Sequence, residues 1–330
     1  MKTKVINLRN RPVGLPDKND FEEVEENIPE LLDGQILLQS IYISVDPYLR
    51  GRMSGTKEPI FKLNAPVASK LIARIIQSRH KNFKMGDIVS HYLDWKEYQV
   101  SDGTGLNKID EHNAPLSANL GVLGITGLSA YLPLITFGKP QSGETIVISA
   151  AAGAVGSIAG QIGKILGCKV VGIVGSDQKV TLLEENFGFD AAINYKNEQD
   201  LSSAIASHCP NGVDIYFDNV GGMISDAVFA NINTYGRVVV CGSISNYNDT
   251  EIALSPSILP IVVYKFLSIN GFLIADFAAQ FDQGLMQLST WLKQGKLKYK
   301  ETVLEDFDKL PEAFIGLFKG LNEGKMIVKV

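Results

Sequence analysis

Between Thr145 and Cys168 the chain reads TIVISAAAGAVGSIAGQIGKILGC. A run of β-branched residues leads directly into Ala151-Ala152-Gly153-Ala154-Val155-Gly156. Apolar residues then recur at Ile158, Ile162, Ile165 and Leu166 with helical period. Strand, small-residue turn and helix in that order are the dinucleotide fingerprint, here with alanine at the first glycine position. The chemistry is access. Small residues let a pyrophosphate approach the backbone, and the helix start offers free N–H groups and a positive dipole end. Gly160 and Gly163 leave room for the helix to lie close on a sheet. A glycine-rich packing turn reads the same in isolation, but the flanking elements favour the binding reading.

The next apolar strand ends Val171-Gly172-Ile173-Val174-Gly175-Ser176-Asp177-Gln178-Lys179. Sites for NAD place an acidic residue at that tip to bind the ribose 2′-hydroxyl. Here the tip is Gly175-Ser176, with room for a phosphate. Ser176 can donate to that phosphate and Lys179 can neutralise it, so NADP(H) is the expected cofactor. Asp177, next to the tip, complicates this reading. Lys179 taken alone reads equally as a solvated lysine in a first helical turn.

Other chemistries lack their ligands. The three cysteines, Cys168, Cys209 and Cys241, are scattered and form no CxxC pair. A catalytic zinc needs Cys and His ligands. The N-terminal region has no cysteine, and His80, His91 and His112 form no metal motif, so no metal is expected. Cysteine usage and the polar N-terminus MKTKVINLRNRP point to a cytoplasmic protein. With 31 Lys and Arg against 36 Asp and Glu, the net charge is −5 and the pI about 5.5, which gives no general pull toward nucleic acid. Residues 113–138 carry no charge, but Pro115, Asn119 and Pro133 interrupt them. Pro256, Pro260, Lys265, Asn270 and Asp276 interrupt Ser255 to Ala279. Neither window reads as a membrane span; the first reads as a turn followed by a buried helix.

The elements that hold these residues follow two patterns. Early segments such as 34–45, 84–90 and 95–100 read as strands with turn signals. From about residue 125, apolar strands alternate with helical segments. The strands are Thr145–Ala150, Lys169–Val174, Ala191–Asn194, Val213–Asp218, Gly236–Cys241 and Ser268–Phe272. That alternation predicts an α/β fold with a parallel sheet covered on both faces. A final strand is read over 324–330.

Several segments carry a family resemblance: Ser44-Val45-Asp46-Pro47-Tyr48-Leu49-Arg50, Gly175 to Lys179, Asn194-Tyr195-Lys196, Phe217-Asp218-Asn219-Val220-Gly221-Gly222, Cys241 to Asn248 and Gly320 to Lys325. With the AAGAVGS turn, they resemble the leukotriene B4 dehydrogenase/prostaglandin reductase group of the medium-chain dehydrogenase/reductase superfamily, over nearly the whole chain. The resemblance implies a doubly wound Rossmann domain, 126–296, inserted in a mainly β, GroES-like substrate domain, 1–125 plus 297–330, and a homodimer. It places Ala154, Val155, Gly156 and Ser157 at the pyrophosphate. Lys179 and Tyr195 fall at the 2′-phosphate and adenosine end, beside the Ser176 already assigned to that phosphate. Asn219, Cys241, Gly242, Ser243, Ile244, Ser245, Tyr247, Phe272, Leu273, Ile274 and Asn322 fall toward the nicotinamide. Tyr48 and Tyr247 match tyrosines that line the substrate pocket.

The implied reaction reduces the C=C bond of an α,β-unsaturated ketone or aldehyde by hydride transfer from NADPH to the β-carbon. Without a metal, hydrogen-bond donors must stabilise the developing enolate. Tyr247 or the nicotinamide ribose hydroxyl can do so, and a tyrosine or water can supply the α-carbon proton. Quinone reduction and non-catalytic NADPH binding are the alternatives. One segment departs from the family: Ala65-Pro66-Val67-Ala68-Ser69-Lys70-Leu71-Ile72 stands where relatives carry a glycine-rich run near the active-site cleft, so substrate preference is open there.

Overall fold

The apolar strands from Thr145 onward build one six-stranded sheet with every neighbour parallel. Its order is Ala191–Asn194, Lys169–Val174, Thr145–Ser149, Val213–Asp218, Ile232–Val240 and Ser268–Gly271. The order reverses direction across the Thr145–Ser149 strand, as in a doubly wound dinucleotide fold. A sheet with helices on both faces must be apolar on both faces. Val147, Ile148, Val170, Val171, Ile215, Phe217, Val238 and Val239 accordingly have no exposed surface. The computed structural model describes residues 1–54, 60–111, 114–251 and 253–330, so His112 and Asn113 lie outside the described residues.

Several strand ends differ from the sequence reading by a residue or more, as Ser268–Gly271 stops before Phe272 and Tyr98–Ser101 starts after Trp95, and two of the differences have a backbone reason. The Thr145–Ser149 strand stops before Ala150, which turns into the left-handed region at φ 47°. The fifth strand begins at Ile232 rather than Gly236. Its register against Val213–Asp218 shifts between Val213 and Ile215, and Tyr235 sits at φ 63°. Such a bulge hides the early part of a strand from a periodicity argument.

The helix Gly156–Ile165 packs where its glycines permit. A Cβ on Gly163 would stand 3.0 Å from both Ile146 and Val170 on the sheet. One on Gly160 would stand 1.9 Å from the Phe189 ring, so this close contact requires glycine. The uncharged window contains the helix Ile125–Pro133, whose Leu128, Ala130 and Leu132 are buried. Among the described residues, no helix is long and apolar enough to cross a membrane.

By its contacts the chain forms two compact units. One comprises Gly121–Lys300 with Glu323–Lys325 and carries the parallel sheet. The other comprises Met1–Leu120, Glu301–Asn322 and Met326–Val330. In the second, the strand Ile36–Ser44 is the hub. It pairs antiparallel with Ala68–Ser78, Tyr98–Ser101 and the final strand Lys325–Lys329. Ala68–Ser78 in turn pairs with Ile88–Asp94. Trp95 is fully buried here; its indole N–H donates to Ser69 Oγ at 2.7 Å, and that hydroxyl donates to the Ser44 carbonyl at 2.6 Å. This chain satisfies the polar atoms that an otherwise apolar core encloses.

Candidate active site

The glycine-rich turn owes its shape to Ala150. Its carbonyl accepts the Gly153 N–H at 2.9 Å and fills the space beside the helix start. A Cβ on Gly156 would lie 2.5 Å from that oxygen, so a side chain cannot be built there without moving backbone. Val155 caps the Gly156–Ile165 helix with no side-chain hydrogen bond. The Ser157 N–H donates to the Gly153 carbonyl at 3.1 Å, and the other first-turn N–H groups stand at a positive dipole end, the arrangement that suits a pyrophosphate. Ala154 and Val155 are half-buried; Gly156 and Ser157 are buried.

The tip of the Lys169–Val174 strand gathers cations. Ser176 caps the next short helix by accepting the Lys179 N–H, which leaves its hydroxyl proton free to donate. A Cβ on Gly175 would stand 3.2 Å from the Tyr195 ring and 3.3 Å from Lys196 Cε, so the phenol and the lysine stem both close on this glycine. Burial lowers the Lys179 pKa; attraction to Glu323 opposes that, and repulsion from Lys196 adds to it. Asp177 does not compete at the tip. Its carboxylate accepts from Asn194 Nδ2 at 2.7 Å and from Asn197 Nδ2 at 2.9 Å.

At the end of the Val213–Asp218 strand, one buried carboxylate organises two loops. Asp218 is 6% exposed. Oδ1 accepts from Ser149 Oγ at 3.0 Å, the Tyr216 hydroxyl at 2.8 Å, and the Val220 and Gly221 N–H groups at 2.9 Å each. Oδ2 accepts from Ser225 Oγ at 2.6 Å. The Asp218 carbonyl also accepts from the Cys241 and Gly242 N–H groups. Asn219 is held by Ser149, whose Oγ accepts its N–H at 2.8 Å and whose carbonyl accepts its Nδ2 at 2.7 Å. Ser245 and Ile244 donate their N–H groups to the Val220 and Asn219 carbonyls.

Tyr247 is half-buried on this second loop. A Cβ on Gly242 would stand 2.8 Å from its hydroxyl oxygen, so only glycine leaves that hydroxyl where it is. Burial raises the Tyr247 pKa, with the Ser243 N–H opposing and Cys241 adding. The phenol therefore remains a donor at neutral pH. Burial, then the charge of Asp218, pushes the Cys241 thiol up to about 12, so it is not a thiolate. Phe272 meets Phe277 edge-on at 6.2 Å, Ile274 is half-buried and Leu273 is 73% exposed.

Tyr48 and Asn322 belong to the other unit. Tyr48 precedes the short helix Leu49–Met53, which places Arg52 Cζ 4.9 Å from the Tyr48 ring centroid and 4.9 Å from that of Tyr92. Desolvation raises the Tyr48 pKa, with Asp46 and Tyr92 adding, so it too is protonated. The residues that sequence reasoning gave no role are Ser149, Tyr216, Asp218, Ser225, Lys196, Arg52 and Tyr92. Polar residues at the ends of otherwise apolar strands, Ser149 and Asp218, were the available signal.

Two family models match the chain: the N-terminal domain of oxidoreductase over residues 4–109, and zinc-binding dehydrogenase over residues 154–291. A putative NADP-dependent oxidoreductase of Bacillus subtilis, YfmJ, is 46% identical over 98% of this chain and 97% of its own length. The NADPH-dependent curcumin reductase of Escherichia coli is 38% identical over 98% and 95%. The crystal structure of CurA from Vibrio vulnificus in complex with NADPH superposes with a TM-score of 0.93 at 38% identity, covering 99% of both chains. The chain belongs to the medium-chain dehydrogenase/reductase superfamily.

Among the chain's described residues no group of three or more His, Cys, Asp or Glu could hold a metal ion. Its donor set does suit a nucleotide with a 2′-phosphate: backbone N–H groups at the uncapped helix start, and Ser176, Lys179, Tyr195 and Lys196 at the strand tip. The Asp218 hub yields a direct test on the reductase. Asp218→Ala strands several buried donors at once and is expected to lower the unfolding free energy by about 3 kcal/mol. Urea unfolding measures it; a loss below about 1 kcal/mol would show the network to be dispensable.

Proposed function

We propose that this protein is an NADPH-dependent reductase of the C=C bond in α,β-unsaturated ketones and aldehydes, independent of zinc. The observation that carries the reading is the gathering, at the C-terminal ends of consecutive parallel strands, of an uncapped helix start, a lysine-lined strand tip and the Asp218-held loops. Ligands of doubly wound sheets bind at that end of the strands. The near full-length likeness to proteins named curcumin reductase, prostaglandin reductase and 2-alkenal reductase supports the choice of reaction.

The cofactor, when bound, supplies hydride for the β-carbon; the chain supplies position and charge stabilisation. In this reading Ala154, Val155, Gly156 and Ser157 hold the pyrophosphate. Ser176, Lys179 and Tyr195 hold the 2′-phosphate and adenosine. Asn219, the Cys241–Ser245 loop, Phe272, Leu273, Ile274 and Asn322 face the nicotinamide half. Tyr48 contacts substrate. Tyr247 donates its hydroxyl hydrogen to the carbonyl oxygen as negative charge develops there. Its protonated state, kept by burial, suits that role.

The reductase is proposed to act as a cytoplasmic homodimer. Its three cysteines are all free thiols, as a reducing compartment requires. The strand Ser268–Gly271 ends the parallel sheet with three of its four residues exposed. Leu259, Val263, Tyr264 and Phe266 are each more than 60% exposed just before it. An unpaired edge beside exposed apolar side chains suits a second copy related by a two-fold axis.

Loss of NADPH absorbance with an enone, an alkenal and a quinone tests the activity; no turnover of enone or alkenal refutes it. Tyr247→Phe is expected to lower kcat/KM about 5- to 150-fold, the loss of roughly 1–3 kcal/mol from one donor to a developing charge. Undiminished turnover would remove Tyr247 from the reaction. Lys179→Ala should reduce the ratio of NADPH to NADH affinity about tenfold or more, read by fluorescence titration. An unchanged ratio would place the 2′-phosphate elsewhere. Sedimentation velocity should give the mass of two chains, and a monomer at micromolar concentration would overturn the dimer.

A further inference from the structure

An acid beside the Gly175-Ser176 tip ought to repel a phosphate, yet Asp177 stands there. Its partners give it another role. Asn194-Tyr195-Lys196-Asn197 form a turn closed by the Asn197 N–H on the Asn194 carbonyl at 3.0 Å. The side chains at both ends of this turn, Asn194 Nδ2 and Asn197 Nδ2, donate to one oxygen, Asp177 Oδ1, at 2.7 and 2.9 Å. Asp177 opens the helix Asp177–Thr181, which follows the strand Lys169–Val174. The turn follows the neighbouring strand Ala191–Asn194. One carboxylate oxygen therefore ties together the C-terminal ends of two adjacent strands.

The two middle residues of the tied turn are the ones that reach the tip. The Tyr195 N–H donates to the Val174 carbonyl at 3.0 Å, which sets the turn against the strand that ends at Gly175. A Cβ on Gly175 would stand 3.2 Å from Tyr195 Cε1, 3.5 Å from its hydroxyl oxygen and 3.3 Å from Lys196 Cε. Lys196 also lies close enough for its charge to act on Lys179. Among the described residues the Lys196 ammonium has no hydrogen bond or ion pair. Two like charges brought near one point favour an anion placed between them. In sites for NAD an acid at this place touches the ribose itself. Here its hydrogen bonds run away from the tip, to the turn.

We propose that Asp177 is a positioning residue for the cofactor's 2′-phosphate, and that Lys196 is a second cation for that phosphate beside Lys179. Asp177 holds the Asn194–Asn197 turn, and the turn carries Tyr195 and Lys196 over Gly175. The proposal rests on the reading that Ser176 and Lys179 face the 2′-phosphate. It adds that an acid, acting through two asparagines, favours the phosphorylated cofactor.

The test is the ratio of NADPH to NADH affinity, read by fluorescence titration of the whole protein, with calorimetry of 2′,5′-ADP as a second probe. NADH is the control for folding and for the pyrophosphate turn, since it lacks only the phosphate. Lys196→Met should lower the ratio about tenfold. Asp177→Ala should lower it about threefold or more, although it removes a negative charge beside the phosphate. Asp177→Asn keeps an oxygen that can accept from both asparagines, so it should restore most of that loss. Asp177→Ala should cost less in a Lys196→Met background, since part of its effect passes through Lys196. Affinity for 2′,5′-ADP should follow the ratio. A ratio that rises or stays constant in Asp177→Ala shows that the carboxylate acts only by its charge or not at all, and overturns the positioning role. So does an Asp177→Asn protein that restores nothing. An unchanged ratio in Lys196→Met removes the second cation. If Lys179→Ala lowers the ratio while these variants do not, the proposal fails alone. If Lys179→Ala also leaves it unchanged, the phosphate lies elsewhere and the underlying reading falls with it.

Discussion

The functional half of the parallel-sheet unit hangs from the carboxylate of Asp218. Burying an ionised carboxylate is costly unless hydrogen bonds replace the lost water. Here five donors do so: three hydroxyls and two backbone N–H groups. Because two of those donors are Val220 and Gly221, satisfying the charge also fixes the turn after the strand. That turn needs Gly221 at φ 74°. The Asp218 carbonyl meanwhile anchors Cys241 and Gly242, so the loop bearing Tyr247 is set by the same residue. Ser149 completes the linkage. Its hydroxyl donates to the carboxylate and accepts from Asn219, which joins the glycine-rich turn's strand to both loops.

Charge is distributed by a second constraint. Several lysines here pair at the surface, as Lys164 does with Asp190 at 2.6 Å and Lys309 with Glu312 at 3.1 Å. Such pairs contribute little to stability and carry little information. Lys179 and Lys70 are more enclosed. Both are half-buried and both have pKa values lowered chiefly by desolvation. A cation held at that cost is informative about what it faces. Lys179 stands at a strand tip beside Lys196 and Tyr195, and Lys70 stands opposite Tyr92 on the paired strand.

Legibility followed how local each signal is. The strands Ala191–Asn194 and Val213–Asp218 match the sequence reading because each is a short, mainly apolar run set between turn and polar residues. The strand Ile232–Val240 begins four residues before the Gly236 start that the sequence suggests, because a bulge at Tyr235 breaks its periodicity. The glycine-rich turn was readable because backbone access depends on residue size within a few positions. That Gly242 makes room for the Tyr247 hydroxyl was not, because it depends on how a loop folds back on itself.

By itself the sequence determined the alternation of apolar strands and helices, the turn able to accept a pyrophosphate, the lack of an acidic residue at Gly175-Ser176, and the dearth of zinc ligands. These properties belong to residue types and short spacings. Only the tertiary structure decided where Asp177 points: Asn194 and Asn197 draw its carboxylate to themselves, so an acid beside the tip leaves the tip to Lys179. Only it joined Ser149 to Asp218 and Asn219, about seventy residues on. Only it set Lys70 opposite Tyr92 and Arg52 between two tyrosines. The physical reason is register. Which side chains meet across strands depends on how strands pair, and a one-residue slip would send every one of them to the opposite face.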